Sequence, residues 1–95
     1  MLEHRGGKGR LRQALLDVAE ARGVRVTDLD VKALVGEAAG EVFRSLEAGG
    51  EMSLRELREK TGDKGPITMA AVGWLLREDK LVVRVAEDGV KVRLQ

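Results

Sequence analysis

Side-chain catalysis needs a nucleophile beside a base, a pair of carboxylates in a dry pocket, or a ligand set for a metal, and this chain is poor in all three. Its only imidazole is His4, near the N-terminus, with Glu3 as its one neighbouring candidate ligand. Cysteine is absent, which removes thiol chemistry, disulfides and thiolate zinc sites. The serines are Ser45 and Ser53. Ser53 is better used as a helix cap, and no base stands near a nucleophile. Glu37, Glu41 and Glu47, like Glu56 and Glu59, recur as polar helix faces. Gly6-Gly7-Lys8-Gly9 has no strand before it and lacks the G-x-x-x-x-G-K-[ST] spacing of a phosphate loop. The expectation is a chain with no catalytic residue, no metal ligand, no cofactor and no small-molecule substrate.

What remains is binding. The net charge is only +1, but the cations are unevenly placed. Arg5, Lys8, Arg10 and Arg12 crowd the N-terminus against Glu3 alone, so the body of the chain is slightly acidic. Further cations fall at Lys64, Arg77, Arg84, Lys91 and Arg93. Together these nine positions are the candidate contacts to a polyanion such as double-stranded DNA.

The elements that must position them belong to one small domain. A 95-residue chain buries roughly 60–65% of its unfolded surface, enough for one modest core. The longest apolar run, residues 69–76, is far below the ~20 needed to span a bilayer. No apolar segment of a signal peptide accompanies the N-terminal cations, so a cytoplasmic protein is expected, with no membrane partner.

Residues 1–9, rich in glycine and without a period, read as a mobile basic arm. Leu11, Ala14, Leu15, Val18 and Ala19 then form one stripe of a helix over residues 10–22, stopped at Gly23. Val24 and Val26 suggest a short extended piece. A second helix is expected from Thr27, which with Asp30 has the form of a capping box. Its core stripe reads Val31, Val35, Ala38, Val42 and Leu46, with Leu34 and Ala39 at the edges, and Gly49-Gly50 ends it.

Glu51-Met52 fits a short bridging strand. Ser53 and Glu56 form a sharper capping box for a third helix with Leu54 and Leu57 as its apolar contacts. Thr61-Gly62 stops that helix, Asp63-Lys64-Gly65 turns, and Pro66 opens a fourth helix running to about Asp79. Asp88-Gly89 is a two-residue hairpin signal. With those two as the loop, Arg84 faces Arg93, and Val83, Val85, Val92 and Leu94 share a face.

The order is helix, helix, short strand, helix, turn, helix, hairpin. The last five elements are those of a winged helix, with residues 53–79 in helix-turn-helix proportions and residues 80–95 as the wing. The predicted fold is therefore α+β and mostly helical: a winged helix-turn-helix over 31–95, a C-terminal β-hairpin wing, and an extra N-terminal helical extension over 10–30.

The stretch Ala70-Ala71-Val72-Gly73-Trp74-Leu75-Leu76-Arg77-Glu78-Asp79-Lys80-Leu81 resembles the signature of a prokaryotic family of small winged-helix proteins of unassigned function, roughly A-x-G-W-L-x-R-E-D-K-[IL]. Ala39-Gly40-Glu41-Val42-Phe43 is similar to that family's A-G-x-V-[WF] stretch. The likeness covers about residues 35–86. It implies a winged-helix fold and a homodimer, and it implies no chemistry.

Two functions of different class follow. The first is a DNA-binding, transcription-associated protein that grips phosphates through arm and wing. Arg84 opposite Arg93 would repel, as if an anion were expected there. The fourth helix argues against base readout, since its one cation is Arg77 and it has no Asn, Gln, Ser or Lys to reach base edges. The second is a homodimerisation or protein-interaction module. Glycine inside a helix costs about 1 kcal/mol against alanine, so Gly36, Gly40 and Gly73 suggest a close backbone approach. Phe43 and Trp74 border those glycines, and Leu11, Leu15 and Val18 form a stripe that needs covering.

Overall fold

The computed structural model describes residues 3–62 and 65–95, with side chains from residue 9 onward. Helix α1 spans Glu3–Arg22, a single 3-10 turn follows at Val26–Asp28, and α2 spans Val31–Gly49. Then come β1 (Met52–Ser53), α3 (Leu54–Lys60), α4 (Pro66–Arg77), β2 (Leu81–Ala86) and β3 (Gly89–Leu94). The sheet is antiparallel, in the order β1-β3-β2. One core draws on every element of the 31–95 unit. Leu34, Ala38, Ala39, Val42 and Leu46 come from α2, Met52 from β1, Leu57 from α3, Ile67, Ala71 and Val72 from α4, Leu81 from β2 and Val92 from β3.

Local signals account for most boundaries. At the end of α1 the Gly23 N–H donates to the Glu20 carbonyl at 3.1 Å and the Val24 N–H to the Ala19 carbonyl at 3.0 Å. Gly23 carries φ +71°, which completes a Schellman stop. The α4 stop has the same form, with Asp79 at φ 61° and the Lys80 N–H bonded to the Leu75 carbonyl. Ser53 and Glu56 form the expected capping box: the Ser53 hydroxyl accepts from the Glu56 N–H at 3.0 Å, and Glu56 Oε1 accepts from the Ser53 N–H at 2.9 Å. Pro66 sits in the first turn of α4.

Five expectations are corrected. The backbone is helical from Glu3, so α1 begins ahead of Arg10, inside the stretch expected to be an arm. Once a helix is nucleated each added residue gains a hydrogen bond, and glycine opposes this by only about 1 kcal/mol apiece. Val24 and Val26 do not form an extended piece, because residues 26–28 wind into the 3-10 turn. Thr27 is part of that turn and caps nothing. Asp30 is the cap of α2, its carboxylate accepting from the Ala33 N–H at 3.1 Å. The α2 core face is rotated accordingly: Leu34 and Ala39 are buried, while Val31 is 43% exposed and Val35 only partly covered.

The hairpin register is the fifth. The loop residues are Glu87 and Asp88, with Ala86 paired to Gly89 and Val83 to Val92. Positive φ falls on Gly89, at 142°, and not on Asp88, since an Asp side chain resists that region while glycine does not. The slip preserves parity, so Val83, Val85, Val92 and Leu94 still share a face, with Val85 near the loop 84% exposed. It does change partners: Arg84 lies opposite Lys91, and Arg93 opposite Val82.

Candidate functional site

The polar face of the wing is built where β3 lies between β1 and β2. Ser53 pairs with Lys91 on one side, and Arg84 pairs with Lys91 on the other. Glu51, just before β1, reaches across β3 to Arg84. The Arg84 Nε donates to Glu51 Oε2 at 3.2 Å and Nη2 to Oε1 at 3.1 Å, a two-pronged charge-assisted contact. The hydrogen bond from Arg84 holds the Glu51 carboxyl below the usual carboxylate range, helped by the charges of Arg84, Arg93 and Lys91 and opposed by partial desolvation. The same contact raises the Arg84 guanidinium above its ordinary value. Lys91 Nζ lies 3.7 Å from Asp88, and the Arg93 guanidinium donates to its neighbour's carbonyl at Leu94.

Arg84 on the like-charged wing is thus answered by the chain's own Glu51. Sequence reasoning missed Glu51, because only the pairing of β1 with β3 brings residue 51 over the hairpin. Arg84 and Arg93 do not face one another.

Helix α4 presents a different surface. Ile67, Thr68, Ala71 and Val72 point into the core. The opposite side carries Met69, Gly73 and Leu76, flanked by Ala70 and Arg77, all exposed. Met69 is 43% and Leu76 45% exposed, and a Cβ built at Gly73 meets nothing within 4 Å. Arg77 is the one charged side chain on this helix. Trp74 lies at the edge, 40% exposed, with its ring against Gly36 of α2.

Gly36 and Gly40 of α2 each lie against a side chain of the same chain. A Cβ at Gly36 would meet Trp74 Cζ3 at 3.3 Å, and one at Gly40 would meet the Arg44 guanidinium at 3.2 Å. Phe43 is half-buried. In α1, Leu15 and Val18 pack on the core while Leu11 stays 45% exposed. Helix α1 packs chiefly on α4 and on the 3-10 turn, so it does not cover the α2 glycines.

Of the basic N-terminal residues, Arg10 and Arg12 are exposed on α1. The side chains of Arg5 and Lys8, and Lys64 entirely, lie outside the described residues. Among the described residues no three His, Cys, Asp or Glu side chains are grouped to hold a metal ion, and no helix is long and apolar enough to cross a membrane.

A helix-turn-helix made of α3 and α4, closed by a β2–β3 wing that pairs with a strand before it, defines a winged helix-turn-helix protein. The chain belongs to the winged helix-turn-helix domain family DUF2582, which it matches over residues 30–94. It is also similar to the uncharacterized protein MJ1608 of Methanocaldococcus jannaschii, with 42% identity over 57 residues, 57% of this chain and 80% of that protein. Helix α1 lies outside the family match.

Proposed function

We propose that this protein acts by binding and not by catalysis, and that its working surface is the outward face of α4, which pairs with a second copy of the chain. The observation that carries this reading is the stripe of Met69, Gly73 and Leu76 left exposed on the helix that a DNA-reading winged helix would line with polar side chains. An apolar stripe with small residues in it invites close helix contact, and two-fold pairing is the commonest assembly of small proteins. The wing supports the same reading, since Arg84 is already engaged by Glu51 and Lys91 by Asp88.

Sedimentation equilibrium tests it. The wild type is expected at about twice its 10.4 kDa chain mass, and Leu76→Glu at the chain mass with its fold unchanged. A wild type that stays monomeric at high concentration overturns the reading.

One observation favours duplex DNA as a second reading: Arg10, Arg12, Arg77 and Arg93 are all exposed. Such contacts would be made to phosphates, without base readout. Affinity would then be equal across sequences, and each charge removed would flatten the salt slope by about one unit. No shift of any duplex at low salt removes this reading.

A further inference from the structure

The family match leaves α1 unexplained, and α1 forms one wall of a concavity. A groove of about 810 Å³ lies between α1 and the start of α4, with Arg58 of α3 at its side. That volume falls in the range of small-molecule sites. Its walls are unequal in chemistry. Ala14 and Val18 of α1 and Ile67 of α4 form an apolar interior. Leu11 on one wall and Met69 on the other remain 45% and 43% exposed. Two large apolar side chains left wet across a ligand-sized groove are surface that an apolar occupant would cover.

The charged residues of the lining are Arg10 and Arg58 against Asp17. Gly65 and Pro66 also line it, as the N-cap and first residue of α4. The positive end of the α4 dipole lies on the same side. The acidic wall residue Asp17 accepts a hydrogen bond from Gln13 at 2.9 Å.

We propose that this groove is a binding site for an amphipathic organic anion: an apolar body seated between Leu11, Ala14, Val18 and Met69, with its carboxylate or sulfonate against Arg10. An occupant would tie α1 to the start of α4. The proposal goes beyond the pairing face and does not rest on it, although Met69 borders both.

The probe is 1-anilinonaphthalene-8-sulfonate, an apolar ring system bearing one anion, titrated against the full chain by fluorescence. Expected is a saturable signal with one site per chain, displaced by decanoate and far less by decanol. Leu11→Glu, at an exposed position, and Ala14→Trp, which fills the groove, both abolish the displaceable signal. Arg10→Glu weakens it about tenfold or more, the scale of one charge-assisted contact. Leu76→Glu, which opens the pairing face beside Met69, retains it. If Ala14→Trp unfolds early, Leu11→Glu alone decides. Retention of the signal in Leu11→Glu, an unchanged affinity in Arg10→Glu, or equal displacement by decanol overturns the proposal. Loss in Leu76→Glu overturns it as well, because the probe then reports the pairing face.

Discussion

Gly36 and Trp74 make the seam between α2 and α4 measurable. Replacing Gly36 with alanine has two opposed effects. Alanine is favoured over glycine inside a helix by about 1 kcal/mol. The new methyl would stand 3.3 Å from Trp74 Cζ3 and 3.5 Å from Cη2, so the ring must yield by a few tenths of an ångström. Trp74 is 40% exposed and can retreat toward solvent. The helix gain therefore wins, and Gly36→Ala is expected to stabilise by about 0.5 kcal/mol, a rise in Tm of roughly 2–4 °C for a domain of this size. Gly36→Leu reverses the sign. Its further carbons need the space the indole occupies, which drives the ring off α2 and costs about 1–3 kcal/mol, the usual range for overpacking. Trp74 is the only tryptophan, so urea unfolding followed by its emission reads stability and local environment together. The Leu variant is expected to show a red-shifted native emission. Equal stability of the two variants, with the emission maximum unmoved, would refute the packing argument.

The other predictions concern α3 and the wing. Ser53→Ala removes one half of the capping box from a helix with only two turns, and it is expected to cost about 1 kcal/mol in urea unfolding. A change below a few tenths of a kcal/mol means that water replaces the hydroxyl fully. Glu51 and Glu56 both have carboxyls held below their ordinary value, Glu51 chiefly by Arg84 and Glu56 chiefly by the Ser53 N–H, with Lys91 and Lys60 adding. In the window below that ordinary value the unfolded chain binds more protons than the folded one. Their contribution is therefore complete near neutrality and is lost as pH falls from about 5 toward 3. Glu51→Gln/Glu56→Gln is expected to flatten that acid slope; a slope identical to the wild type would place the acid-sensitive groups elsewhere.

Much of the fold is legible along the chain because its signals are local. The Ser53–Glu56 box, Pro66, the stops at Gly23 and Gly50, and the alternation of the hairpin each act within a few residues, and the structure uses all of them. The family pattern around Gly73-Trp74 likewise points to the winged helix that residues 30–94 match. Local signals fail where two sites compete within a few residues. Thr27 and Asp30 can each cap a helix, and the 3-10 turn at 26–28 takes Thr27 and leaves Asp30 to do it. Asp88 and Gly89 can each sit in the hairpin loop, and the need for one positive φ places glycine just after it.

The surfaces are decided by the tertiary structure alone. Nothing at residue 51 announces that its carboxylate will answer Arg84, thirty-three positions away, until β1 pairs with β3. Nothing at Gly36 distinguishes a seat for the chain's own Trp74 from a seat for a partner until α2 and α4 pack. The groove beside α1 exists only because that helix lies across the start of α4. Helix and turn boundaries depend on neighbours in sequence and can be read there; charge pairing, groove shape and exposed apolar faces depend on which segments meet in space.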